Sequence, residues 1–217
     1  QLALKSASVR FGSIRARPPL VEPGQRIGLL GGSFNPPHAA HRLITQIALR
    51  RLQLDAVWWV VTPGNPLKLH DELAPRVERM QLSREMSGGD PRIRITDFEA
   101  DLASAYTAAT LSFLKLRFSG VRFVWLMGAD NLATFHKWQE WETIASIMPI
   151  AVVDRPKWRL KSMASRAAKR LADSYVPESR ALVLPLMEPP AWTFLTGPLS
   201  ELSSTAIRAA RNSNPLP

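Results

Sequence analysis

The chain has 217 residues, 46% of them hydrophobic, which is enough for one compact α/β domain with a substantial core and little left for a second. It contains no Cys, so disulfides, thiolate nucleophiles, Cys-ligated zinc and iron–sulfur clusters are excluded, and a reducing cytoplasm fits. The net charge of +10 raises nucleic acid or an anionic surface as a partner, while every apolar run is interrupted well short of the roughly 20 residues that cross a bilayer, so a soluble protein is expected.

Residues 1–25 read as a basic, flexible N-terminal extension, with Lys5, Arg10, Arg15 and Arg17 against Glu22. They lack the apolar stretch of a secretory signal, although the composition would also permit an organellar transit peptide. From Arg26 to the end, short β-branched or apolar runs alternate with segments of helical period. Strands are expected at Arg26–Leu30, Ala56–Val61, Arg92–Thr96, Val121–Met127, Ile150–Val153 and Ala181–Leu184. Helices are expected at about His41–Leu52, Pro75–Met86, Thr107–Leu116 and Ser204–Arg211. This alternation predicts a single α/β domain over residues 26–217, built on a doubly wound, mostly parallel sheet with helices on both faces. Ligands of such sheets sit beyond the carboxyl ends of the strands, which directs attention to the loops after the first, second and fourth.

The loop after the first strand reads Gly31-Gly32-Ser33-Phe34-Asn35-Pro36-Pro37-His38-Ala39-Ala40-His41. Two glycines at a strand end let backbone N–H groups approach an anion, and two prolines stiffen the turn that follows. The string has neither the Gly-Lys-Ser/Thr of a Walker loop nor the Gly-x-Gly-x-x-Gly of a dinucleotide fold, which weakens the case for a kinase or a dehydrogenase. His38 and His41 are three apart, so a helix beginning near His38 places both imidazoles beside its positive end, where a phosphate would meet ring donors, backbone donors and a favourable field together. Zinc is the other ligand that two close histidines suggest.

A second helix start comes late, in Leu202-Ser203-Ser204-Thr205-Ala206-Ile207-Arg208. Its hydroxyls, free N–H groups and the Arg208 guanidinium one turn on suit an anion, though an N-cap alone would use the same serines. Between Arg155 and Ala172 lie Arg155, Lys157, Arg159, Lys161, Arg166, Lys169 and Arg170 with no acid, which reads as a solvated helix face or as a nucleic-acid patch. Only Trp158 interleaves an aromatic there, which weighs against nucleic acid.

The Gly31–His41 string resembles the N-terminal signature of the nucleotidyltransferase superfamily, and within it the nicotinate-nucleotide adenylyltransferases, from which Ala40 departs by replacing a glycine. Over about Arg26 to Arg208 further segments follow in family order. The resemblance implies that Gly31, Gly32, Ser33 and Phe34 hold the ATP phosphates together with Ser204 and Thr205, and that His38, His41 and Arg208 are catalytic. It assigns Lys68, at the end of the loop Thr62–Lys68, to a phosphate. It assigns Tyr106 and Thr107 of Ser104-Ala105-Tyr106-Thr107 to the pocket of a pyridine ring and its carboxylate. Asp130, just past the fourth strand, would accept ribose hydroxyls, and Trp138 would stack on the pyridine, leaving Trp141 to hydrophobic packing. The implied reaction is adenylyl transfer from ATP to nicotinate mononucleotide in NAD biosynthesis, with Mg²⁺ carried mainly by the ATP phosphates and no protein metal site. Nicotinamide mononucleotide, phosphopantetheine or a cytidylyl-transfer acceptor are the alternatives.

Overall fold

A computed structural model describes residues 16–64, 73–104 and 106–197. Its centre is a six-stranded sheet in the order β3-β2-β1-β4-β5-β6, every pairing parallel. The strands are β1 (Arg26–Gly32), β2 (Ala56–Val61), β3 (Ile93–Thr96), β4 (Arg122–Gly128), β5 (Ile150–Val153) and β6 (Trp192–Leu195). The helices are α1 (Ala39–Arg51), α2 (Arg76–Ser87), α3 (Thr107–Arg117), α4 (Ala129–Thr134), α5 (Trp141–Ile147), α6 (Arg159–Met163) and α7 (Arg166–Arg170). Strand order reverses between β1 and β4, so the crevice for a ligand lies beyond the carboxyl ends of these two neighbours.

The strands read as unbroken apolar runs because both faces of the sheet are covered. Ile27, Leu29 and Trp58 pack on one side with Leu111, Leu114 and Ile144, whereas Leu30 and Trp59 pack on the other with Ile44, Ile47 and Met80. Successive residues of one strand thus serve different layers, as the alternation of side chains requires. Trp58 and Trp59 are both fully buried, and each large side chain removed from water in this way contributes about 1.5–3 kcal/mol.

The first five expected strands are present, Ala56–Val61 and Ile150–Val153 with the expected ends and the others with ends moved by one or two residues; in particular β1 extends through Gly31 and Gly32, which pair with Val60 and Val61. The sixth is a correction. Ala181–Leu184 belongs to a 3-10 stretch, Glu178–Leu186, in which Ala181 and Leu184 are buried while Leu182 and Val183 are exposed. That spacing of three is helical rather than alternating, and Pro185 has no N–H to give to a ladder. The sixth strand is Trp192–Leu195, buried throughout and paired with β5. Helices α4 to α7, of five to seven residues, carry too few periods for their pattern to stand out in the sequence. The helix expected at Ser204–Arg211 lies outside the described residues.

The described part of the segment ahead of β1, residues 16–25, lies against the domain. Ala16 is buried, Val21 packs on the core, and the Gly24 N–H donates to Gly120 O at 2.8 Å. Among the described residues no helix is long and apolar enough to cross a membrane.

Candidate active site

The phosphate-loop residues converge at the end of β1. His38 caps α1 with extended backbone, and His41 stands in the first turn, so the helix opens one residue later than a start at His38 would give. The two imidazoles are 4.0 Å apart between centroids. The backbone N–H of His38 donates to His41 Nδ1 at 3.1 Å, which leaves the proton of the neutral His41 ring on Nε2. Thr45 Oγ1 donates to His41 O and accepts from Trp59 Nε1, tying the turn to the sheet.

Phe34 does not offer its ring to a ligand. The ring is buried, 4.6 Å from the His41 ring and stacked on Trp59 at 5.3 Å, so it holds His41 from behind. Its φ of 47° lies in the left-handed region, a conformation that costs a non-glycine residue about 1–2 kcal/mol and turns the chain from strand towards helix. Ser33 is half-buried, and its carbonyl accepts from the Arg79 guanidinium at 2.7 Å. Arg79, wholly buried on α2, also donates to Thr62 O at 2.8 Å and Ala74 O at 2.9 Å. One side chain thus joins the loops that follow β1 and β2, a role that no sequence motif marks.

Both histidines are neutral at ordinary pH. Burial, aided by the nearby charge of Arg155, lowers His38 to about 4; burial, His38 and Arg155 lower His41 to about 3. Neutral imidazoles keep one N–H each, so each ring can donate a hydrogen bond without carrying a fixed charge.

Across β4 stands Asp130, in the first turn of α4. Its Oδ2 faces Arg155 Nη1 at 3.4 Å, and its buried Oδ1 has no hydrogen-bond partner among the described residues. His38 Nδ1 is in the same state. Buried polar atoms of this kind are costly unless a ligand satisfies them, and an Asp oxygen suits a hydroxyl donor. The approach depends on Gly128: an added Cβ would lie 2.5 Å from Asp130 Oδ1 and 3.0 Å from Arg155 Cδ. Arg155, at the end of β5, was legible only as one of a run of cations; the structure singles it out by its place beside Asp130 and the histidines.

On the α3 side of the same strand ends lies a cavity of about 170 Å³. Gly31, Gly32 and Thr62 form its strand-end wall, and Glu99, Thr107, Trp125 and Trp138 close it. Gly31 is required there, because a Cβ would meet Trp125 Cη2 at 2.5 Å. Trp138 stands edge-on to Trp125 at 6.5 Å and to Phe135 at 5.4 Å. Trp141 packs against Phe135 and the core, as expected. Thr107 opens α3, whereas the Tyr106 ring ahead of it is 39% exposed and forms no part of the cavity wall. Glu99 is buried, and burial pushes its carboxyl up against the opposing pull of two threonine hydroxyls. Larger hollows of about 610 and 500 Å³ lie at the β3 edge and along α1, and neither contains a residue of the motifs.

The structure therefore brings together Gly31, Gly32, Ser33, His38, His41, Thr107, Asp130 and Trp138, with Phe34 behind the histidine. Lys68, Ser204, Thr205 and Arg208 lie outside the described residues. Among the described residues no three His, Asp or Glu side chains cluster as a metal site would require. The basic run is partly neutralised: Arg159 pairs with Asp154, Arg170 with Glu142 at 3.3 Å, and Lys161 lies over the Trp158 ring at 5.2 Å.

Residues 29–210 match the model of a family described as cytidylyltransferase-like. A protein of Brucella abortus named as a probable nicotinate-nucleotide adenylyltransferase is 54% identical over 182 residues, covering 84% of this chain and 93% of its own. One of Mesorhizobium japonicum with the same name is 53% identical over 190 residues, covering 88% and 97%. The fold is shared with the Plasmodium falciparum nicotinic acid mononucleotide adenylyltransferase complexed with NaAD, at a TM-score of 0.64, 18% identity and coverage of 85% and 83%. On the extent of these matches, the chain belongs to the nicotinate-nucleotide adenylyltransferase family of cytidylyltransferase-like proteins.

Proposed function

We propose that the protein transfers the adenylyl group of ATP to the 5′-phosphate of nicotinate mononucleotide, forming nicotinate adenine dinucleotide and pyrophosphate. The observation that carries this reading is the division of the crevice at Gly31 and Gly32: buried imidazole donors on the α1 side and an aromatic, ring-sized cavity on the α3 side. The names of the relatives at 53–54% identity support the same acceptor.

In this reaction an oxygen of the mononucleotide phosphate attacks the α-phosphorus of ATP, the bond from that phosphorus to the β-phosphate bridging oxygen breaks, and pyrophosphate leaves with the electron pair. The protein positions two anions and stabilises the charge that develops between them. His41 Nε2–H and a His38 ring N–H donate to phosphate oxygens; Arg155 adds positive charge beside them. Ser204, Thr205, Arg208 and Lys68 complete the phosphate contacts in the reading carried over from the family. Asp130 Oδ1 accepts from a ribose hydroxyl, and Trp138 and Thr107 receive the ring and its carboxylate.

Magnesium fits as a companion of the polyphosphate rather than as a resident ion, since the described residues supply no carboxylate cluster and Asp130 already faces Arg155. When bound it neutralises phosphate charge. Pyrophosphate release from ATP with nicotinate and with nicotinamide mononucleotide in parallel tests the acceptor. Faster release with the acid supports the reading, and release with the amide alone contradicts it.

A further inference from the structure

One group in the wall of the ring-sized cavity has no part in the phosphate chemistry. Glu99 comes from the 3-10 turn Phe98–Asp101 and is 7% exposed, and it faces the space that Trp125 and Trp138 also line. Its Oε1 accepts from Thr62 Oγ1 at 3.2 Å and its Oε2 from Thr110 Oγ1 at 3.0 Å. Both oxygens act as acceptors, which is the hydrogen-bond pattern of an ionised carboxylate. Among the described residues no ion pair joins Glu99 to a cation. A buried carboxylate held by two neutral hydroxyls and facing a cavity is incompletely compensated, and a positive ligand would complete it.

We propose that Glu99 is a specificity-determining residue that selects a flat aromatic ring bearing a fixed positive charge. The inference rests on the acceptor reading above and deepens it. A pyridine joined to ribose through its ring nitrogen carries a permanent positive charge, whatever its substituent. The Trp138 indole attracts such a ring through its quadrupole, and the Glu99 carboxylate attracts it as a counter-ion. An uncharged ring of the same outline gains stacking alone. Because Glu99 would repel a substrate carboxylate, the ring's charged nitrogen edge turns towards Glu99 and its carboxylate towards the Thr107 hydroxyl at the start of α3. Glu99 thereby acts on the ring, which the acid and amide nucleotides share, and not on the substituent that separates them.

The test compares nicotinate mononucleotide with the 5′-phosphate of 3-carboxyphenyl C-riboside, in which carbon replaces the charged nitrogen. Calorimetric titration gives the affinity of each for the wild-type protein and for Glu99→Gln. The wild type is expected to bind the pyridinium nucleotide at least about tenfold more tightly. Glu99→Gln should lose about tenfold for that ligand and change by less than about twofold for the neutral one. Equal weakening of both ligands, or an unaltered preference, overturns the proposal. Should Glu99→Gln fail to fold, Glu99→Asp, which withdraws the charge by one methylene, takes its place: a preference for the charged ring smaller than the wild type's supports the proposal, and an unaltered preference, or equal affinity of the wild type for the two ligands, overturns it. Failure of the acceptor reading shows separately, as an absence of adenylylation of nicotinate mononucleotide by the wild type.

Discussion

The main-chain N–H of His38 donates to His41 Nδ1 at 3.1 Å, so the turn that begins α1 sets the tautomer of the His41 ring. One residue's backbone thus orients the other's ring. Because its donation matters most where charge develops, His41→Ala should lower kcat by about 10²–10³ while changing nucleotide affinity far less. Steady-state kinetics alongside equilibrium titration of ATP separate the two effects. An unchanged kcat would remove His41 from the catalytic apparatus.

The same burial makes the histidines a source of acid sensitivity. Their folded pKa values of about 4 and 3 lie below the ordinary 6.5, so below pH 6.5 the unfolded chain takes up protons that the folded chain refuses. Stability therefore falls as pH drops from 6.5 to about 4 for His38 and about 3 for His41, and is flat in these groups above 6.5. The slope is at most about 1.4 kcal/mol per pH unit for each histidine. Urea denaturation at pH 7 and pH 5 should show the loss, and His41→Gln should show less of it. Equal loss in the variant would place the sensitivity elsewhere.

At Gly31 the sheet leaves no room for a side chain. An alanine Cβ would lie 2.5 Å from Trp125 Cη2, so Gly31→Ala must displace the indole and should cost about 1–3 kcal/mol. Trp125→Phe removes the atoms in conflict, and in that background the alanine should cost markedly less. A double-mutant cycle by thermal unfolding measures the coupling; strict additivity would show that the indole does not set the requirement for glycine.

Trp138 lines the cavity proposed for the mononucleotide's ring. Trp138→Ala should raise KM for the mononucleotide by about tenfold or more, as loss of an aromatic platform does, with KM for ATP nearly unchanged. Equal damage to both would mean that its contacts with Trp125 and Phe135 serve the core alone.

Sequence and structure agree where local chemistry and global topology coincide. The run Ala56–Val61, continuous and β-branched, has nowhere to lie but the middle of a covered parallel sheet, and it is β2. The string Gly31–His41 carries its own geometry, with Gly31 where the indole of Trp125 presses, a proline pair before the turn and histidines at the cap and third position. What stayed hidden depends on chain segments distant in sequence. Arg79 reads as an ordinary helix cation until its carbonyl partners arrive from the loops after β1 and β2. Glu99 is one of several acids in its stretch, and only folding places Thr62 and Thr110 on its two oxygens. The ring of Phe34 turns inward to support His41, a contact that the string alone does not mark. The misread strand at Ala181–Leu184 shows the limit of short apolar runs, whose four residues fit either period until neighbours decide.

The central claim is that the bond formed lies between the acceptor's phosphate and the α-phosphorus of ATP. Incubation with nicotinate mononucleotide and ATP labelled with ³²P at the α position, followed by separation of the products, tests it most directly. The account predicts label in nicotinate adenine dinucleotide when the α position is marked, and label in pyrophosphate alone when the γ position is marked. Transfer of the γ label to the acceptor, or no labelled dinucleotide from the α-marked nucleotide, would contradict it.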